Sequence, residues 1–94
     1  MLTYFATISI KPEFFTQAVS AVEAIVPHTR KEIGCLQFDV YSDPAKHQLF
    51  ILEQWNDQSA FDFHHAQDYT SAVFAAYENW LVQAPMLQPL IPVA

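Results

Sequence analysis

The sequence contains few basic residues and only one glycine, and each shortage excludes a class of function. Four lysines and arginines oppose ten acidic residues, which gives a net charge of −6. A chain with so few cations lacks a patch that neutralises phosphates, so we expect neither a nucleic-acid partner nor an anionic membrane partner. With Gly34 as its only glycine, the chain has no glycine-rich phosphate loop, which excludes nucleotide cofactors bound in that way.

Cysteine is equally scarce, because Cys35 is the only one and has no partner for an internal disulfide. A lone thiol is typical of a reducing compartment, so we expect a cytoplasmic protein. No histidine or lysine adjoins Cys35 in sequence, which favours a buried, inert thiol over a nucleophile. No apolar run approaches the roughly 18 residues of a membrane span. The N-terminal segment also lacks the basic region and cleavage site of a signal peptide.

Apolar side chains, in contrast, are in excess. Hydrophobic residues make up 52% of the chain and charged residues only 15%, against about 25% charged in an average soluble protein. We expect a single domain, residues 1–94, since the chain is too short for a second core. One core of this size does not need so much apolar surface, so we expect a homo-oligomer, most simply a two-fold dimer.

The predicted elements follow the order β-α-β-β-α-β. Alternating or β-branched apolar residues predict strands, and apolar residues at helical spacing predict helices. The strands are predicted at residues 2–10, 35–42, 48–55 and 86–93. The helices are predicted at residues 13–33, through His64 after caps at residues 56, 57 and 59, and from Asp68, as its cap, up to residue 84, before Pro85. This order is typical of the ferredoxin-like fold, an α+β fold whose helices cover one face of an antiparallel sheet. Two such subunits, paired through their uncovered apolar faces, would form a dimeric α+β barrel.

Four features predict local geometry. Pro27 lies inside the first helix and predicts a bent or broken helix there. Gly34 follows that helix at the position where a left-handed backbone conformation ends helices. Asp57 and its neighbours can cap the short second helix. Prolines in the last strand confine it to an edge of the sheet.

Several short motifs resemble the antibiotic biosynthesis monooxygenase family of small dimeric α+β barrel proteins, over residues 2 to 80. They are Lys11-Pro12, Arg30-x-Glu32-x-Gly34-Cys35, Asp43-Pro44 and Glu53-x-Trp55-x-Asp57-x-x-Ala60-Phe61-x-x-His64. The resemblance implies a cofactor-independent oxygenase acting on a quinol or another small aromatic molecule. Other members of this family degrade haem or isomerise a phosphorylated signal molecule. The haem branch needs an asparagine on the first strand, where this chain has Tyr4 to Thr7, and a histidine in the region of Phe74 and Tyr77.

His64 is the candidate catalytic base, because the resemblance places it at a family position and an imidazole titrates near neutral pH. The alternative is a helix histidine bonded to a neighbouring carboxylate. Glu53 interrupts an apolar strand, where a buried carboxylate needs a partner. It would orient His64 or bind a substrate hydroxyl, and a salt bridge to Arg30 is the alternative. His65 is predicted to point away from His64, toward solvent.

Five aromatic residues are candidates to line a flat apolar substrate pocket between sheet and helices: Trp55, Tyr69, Phe74, Phe38 and Phe5. Plain core packing is the commoner fate of such residues. Tyr69 is the strongest candidate, because a phenol in a pocket can donate a hydrogen bond to a developing oxyanion.

The expected function is therefore a cofactor-free monooxygenase, with no metal and no cofactor. Neighbouring histidines diverge on a helix, whereas ligand pairs on helices lie at i and i+4. Two alternatives stay open at this point. One is an isomerase that uses the same histidine, and the other is a non-catalytic barrel that binds an apolar ligand.

Overall fold

The computed structural model describes residues 1–94 and shows the predicted α+β architecture. Its strands are β1 (Leu2–Ser9), β2 (Cys35–Asp43), β3 (Gln48–Trp55) and β4 (Met86–Pro89). Its α-helices are α1 (Phe15–Arg30), α2 (Gln58–His65) and α3 (Asp68–Trp80). The four strands form one sheet in the order β2-β3-β1-β4, and every pairing is antiparallel. None of the helices combines the length and the apolar character needed to cross a membrane.

Strand β3 shows why the sheet has a covered and an open face. Its side chains alternate strictly between buried and half-buried, because successive residues of a strand point to opposite sides. Leu49, Ile51 and Trp55 face the helices and join the hydrophobic core with Ile8 of β1 and others, and the buried Glu53 lies on the same face. The prediction of the hairpin formed by β2 and β3 is confirmed.

Helix α1 differs from the prediction at both ends. Residues Pro12–Phe14 form a short 3₁₀ turn before it, and the helix ends at Arg30 rather than at residue 33. The helix is continuous through Pro27, so the broken form of the prediction is wrong. Pro27 lies in the last turn, where the loss of one backbone donor does not interrupt many hydrogen bonds.

The turn after α1 requires the glycine that the sequence places there. Gly34 has a φ of +90°, a conformation that side chains disfavour. A Cβ atom at Gly34 would also lie 2.5 Å from the Cβ of Ala60 on α2. The turn therefore packs directly against α2.

Most of the remaining boundaries are close to the predicted ones, but α3 ends at Trp80 rather than at residue 84. The Asp57 carboxylate caps α2 by accepting a hydrogen bond from the Ala60 amide at 2.9 Å. No side chain caps α3, since Gln67 precedes it and Asp68 lies within its first turn. Strand β4 lies at the edge of the sheet, as expected, but ends at Pro89 rather than continuing to residue 93.

Candidate active site

A cavity of ≈ 260 Å³ lies between the sheet and the helices. All four strands and all three helices contribute to its wall, and 11 of its 16 lining residues are hydrophobic. A mostly apolar cavity with a few polar groups is the usual form of a small-molecule site. The polar side chains in this wall are therefore the candidates for chemistry.

An open groove of ≈ 860 Å³ adjoins the cavity along α3. The two hollows share His65, Phe74, Tyr77 and Pro85. These four residues lie between the cavity and the groove.

His64 is buried in the cavity wall, with 4% of its surface exposed. Its Nδ1 atom lies 3.0 Å and 3.2 Å from the two carboxylate oxygens of Glu32. With an ionised carboxylate there, the neutral ring carries its proton on Nδ1 and donates it to Glu32. Nε2 then keeps a free lone pair, which is what a general base needs.

Glu32 is the functional residue that the sequence analysis missed. It lies in the turn after α1 rather than on the helix, and this turn directs its side chain into the protein, where the residue is 9% exposed. Besides His64, its carboxylate accepts a hydrogen bond from the Tyr69 hydroxyl. A buried carboxylate needs such donors. Its position within the Arg30-x-Glu32-x-Gly34 motif could have identified Glu32 as a candidate from the sequence.

Glu53 makes no hydrogen bond to His64, so the prediction is wrong in that Glu53 does not orient the imidazole through direct contact. Its Oε1 atom accepts a hydrogen bond from Nε1 of Trp55 at 3.0 Å. Burial raises the pKa of the Glu53 carboxyl, although the hydrogen bond from Trp55 and the nearby His64 partly oppose this shift. Glu53 still lines the cavity beside His64.

The alternative salt bridge between Glu53 and Arg30 is also absent. The Arg30 guanidinium instead bonds the Phe38 carbonyl and the Asp39 carboxylate, both at 3.0 Å. It therefore ties the end of α1 to β2 outside the cavity.

Two of the five predicted pocket residues, Phe38 and Phe74, line the cavity. Phe5 does not, because Ala6 and Ile8 of β1 face the helices, which leaves Phe5 on the open face, stacked on Phe50.

Trp55 and Tyr69 also lie outside the wall, although both belong to the site. Trp55 is fully buried, and its ring stacks on His64 with centroids 4.8 Å apart. Tyr69 bonds Glu32 instead of facing a ligand. Both residues therefore act on His64 rather than on a ligand. Trp55 packs on its ring, and Tyr69 hydrogen-bonds its carboxylate partner Glu32.

The structure adds polar cavity residues for which the sequence analysis had no role. His65 is half-buried and lines the cavity, so its prediction as a solvent-facing residue is wrong. Burial and the neighbouring His64 lower the pKa of His65. Tyr77 and Thr70 line the same wall, and the buried Thr70 hydroxyl has no hydrogen-bond partner. No three histidine, cysteine, aspartate or glutamate side chains converge in a way that could hold a metal ion.

Comparison with known proteins identifies relatives across the whole length of the fold. The family model described as "Antibiotic biosynthesis monooxygenase" matches residues 1–80. The Bacillus subtilis protein named "Putative monooxygenase YcnE" is 31% identical over 87 residues, which are 92% of this chain and 90% of that protein.

Solved structures give the same result. A crystal structure described as an antibiotic biosynthesis monooxygenase is 25% identical, has a TM-score of 0.90 and is matched over 100% of both chains. The structure of PA3566 from Pseudomonas aeruginosa is 30% identical with a TM-score of 0.90, over 99% of this chain and 94% of that one.

Proposed function

The chain belongs to the antibiotic biosynthesis monooxygenase family, and we propose that it is a cofactor-independent monooxygenase of a small aromatic or quinol substrate. One observation carries the proposal. The His64 imidazole has one nitrogen bonded to a buried carboxylate, while the ring lines a largely apolar cavity. A base held in this way can take a proton from a ring hydroxyl while the apolar wall holds the ring.

The proposed reaction begins when Nε2 of His64 removes the proton of a quinol hydroxyl. The electron-rich anion reacts with O₂ to form a ring peroxide, which takes the proton back from His64. Loss of the C–H proton at the peroxide-bearing carbon breaks the O–O bond, and this releases water and leaves a new carbonyl. One oxygen atom enters the product and one enters water, and the ring supplies the four electrons.

The pocket supports two requirements of this chemistry. Apolar walls exclude water, which strengthens each hydrogen bond to a developing charge. Trp55 stacks on His64 and is itself held by Glu53, so the imidazole has little freedom to turn away. Both effects favour a preorganised base.

Oxygen uptake by the metal-stripped protein tests this function. With a panel of hydroquinones and small polyphenols, we expect uptake above autoxidation for at least one substrate, with one O₂ consumed per product. Mass spectrometry after reaction under ¹⁸O₂ should show one labelled oxygen atom in the product. Uptake that never exceeds autoxidation, with the fold intact, would reject the proposal.

An isomerase is the second candidate, because the acidic side chain of Glu53 shares the cavity with the base His64. Such a pair can remove a proton at one carbon and supply one at another. Turnover that proceeds unchanged without oxygen would favour the isomerase. Ligand binding without any turnover would favour a binding protein instead.

The open face of the sheet supports a homodimer as a further part of the proposal. Phe5 and Phe50 stack there, and Leu52 pairs directly with Phe5. Tyr41, opposite Phe50, is 59% exposed. Apolar surface of this kind usually marks an interface. A cytoplasmic location stays a prediction.

Sedimentation analysis tests the dimer. We expect a dimer for the natural chain and a monomer for Leu52→Lys, because a charge in the middle of the interface would be buried without a partner. Ile33→Lys is the matched control, since Ile33 is a highly exposed apolar residue of the turn before β2, outside the sheet. A natural chain that sediments as a monomer would contradict the assignment.

A further inference from the structure

Tyr77 is a buried residue whose hydroxyl makes no hydrogen bond within the protein. Tyr77 lies on α3 with 6% of its surface exposed, and it lines the cavity. Burial and the charge of Glu53 raise the pKa of its phenol, and no side-chain hydrogen bond contributes to that pKa. The hydroxyl of a buried tyrosine usually has a hydrogen-bond partner, so this unpaired hydroxyl is available to a ligand in the cavity.

Glu53 offers an open acceptor to the same cavity. Its Oε1 atom is occupied by Trp55, and that is the only hydrogen bond its side chain makes. Although Tyr77 lies near enough for Glu53 to affect its pKa, the two side chains do not bond each other. A free donor and a free acceptor therefore face one apolar space.

We propose that Tyr77 and Glu53 together bind a hydroxyl group of an aromatic ligand. The Tyr77 hydroxyl donates to the ligand oxygen, and the ligand O–H donates to the Glu53 carboxylate. A hydroxyl satisfies both residues, whereas an ether or a ketone accepts without donating. The surrounding wall, which includes Phe38, Val73 and Phe74, takes the ring.

This assignment rests on the proposed function in one respect, namely that the same cavity holds the substrate. With Nε2 of His64 as acceptor for another hydroxyl, the substrate class becomes an arene with two hydroxyl groups. One hydroxyl is held by Tyr77 and Glu53, and the other gives its proton to His64. A phenol with one hydroxyl can bind only one of these two sites at a time, either the Tyr77–Glu53 pair or His64.

The test is equilibrium binding of three probes under anaerobic conditions, where turnover cannot interfere. The probes are 1-naphthol, its methyl ether and naphthalene, and binding is followed by fluorescence. We expect the natural protein to prefer naphthol over both other probes by roughly tenfold, the value of one good buried hydrogen bond. Because Glu53 and Nε2 of His64 can still accept the naphthol proton, Tyr77→Phe should weaken naphthol binding severalfold without abolishing the preference, and it should leave naphthalene binding unchanged.

Two variants complete the test. Glu53→Gln keeps an acceptor for Trp55 but replaces the ionic acceptor, so it should weaken naphthol binding less than Tyr77→Phe does. Tyr41→Phe makes the same change on the opposite face of the sheet, away from the cavity, and should bind all three probes like the natural chain. Thermal melts of each variant confirm that it is folded.

The outcomes separate this assignment from the function. A natural protein that does not distinguish naphthol from naphthalene, or a Tyr77→Phe variant that loses both equally, would overturn it. Selective naphthol binding without oxygen uptake would support the hydroxyl site and reject the oxygenase. Oxygen uptake without selective naphthol binding would support the oxygenase and reject the hydroxyl site.

Discussion

His64→Asn is expected to lower oxygen consumption by roughly 10²- to 10⁴-fold, the usual contribution of a general base. The asparagine amide nitrogen lies close to the position of Nδ1, so the variant can still donate to the buried Glu32 carboxylate. It has no atom at the position of Nε2, however, and so cannot take a substrate proton. The substitution therefore removes the base while it preserves the bond that stabilises its surroundings. Initial rates of oxygen uptake measure the loss.

His47→Asn is the matched control for this variant. His47 lies in the turn between β2 and β3, has a φ of 55° and does not line the cavity. Asparagine tolerates this left-handed conformation better than most residues, so the control should fold normally and retain full activity. An active His64→Asn variant would assign the proton transfer to another group.

Glu32→Gln is expected to cause the second large loss, although Glu32 does not line the cavity. An amide at this position can donate its N–H to Nδ1 of His64, which stabilises the tautomer with the proton on Nε2. That tautomer presents a proton, rather than a lone pair, to the substrate. Since an incorrect tautomer disables a histidine base in other enzymes, we expect a decrease of about 10²- to 10⁴-fold.

Two readouts distinguish this effect from simple destabilisation. The ¹⁵N chemical shifts of the His64 ring should report the Nδ1–H tautomer in the natural chain and the Nε2–H tautomer in the variant. Glu23→Gln, on the exposed side of α1, makes the same chemical change without contact to the site and should keep full activity. A Glu32→Gln variant as active as the natural chain would show that the function of His64 as a base does not depend on this carboxylate.

The sheet could be predicted well because its signals are local. Alternating side chains determine which residues of β3 face the core, and the glycine after α1 determines where the chain turns. Such patterns depend on neighbours within a few residues. The prediction of α1 through residue 33 was less accurate, because apolar spacing continues past the point where the backbone leaves the helix.

The carboxylate partner of His64 could not be predicted from such local patterns. Glu32 and His64 are 32 positions apart, and no periodicity connects a turn after one helix to the face of another. Their contact depends on tertiary packing, which also determines the rotation of α3. That rotation places Tyr77 in the cavity and Tyr69 beside Glu32, whereas the sequence analysis assigned the ligand-facing hydroxyl to Tyr69.

The close packing of Gly34 against Ala60 has a consequence for the chemistry as well as for the fold. Glu32 lies two residues before Gly34, and His64 lies one helical turn after Ala60. The spacing between the carboxylate and the imidazole is thus determined by two small residues at a contact that has no room for another carbon atom. A side chain at Gly34 would push α2 outward and lengthen a hydrogen bond that already measures 3.0 Å. The absence of a side chain at the only glycine therefore sets the distance at which the carboxylate aligns the proposed base.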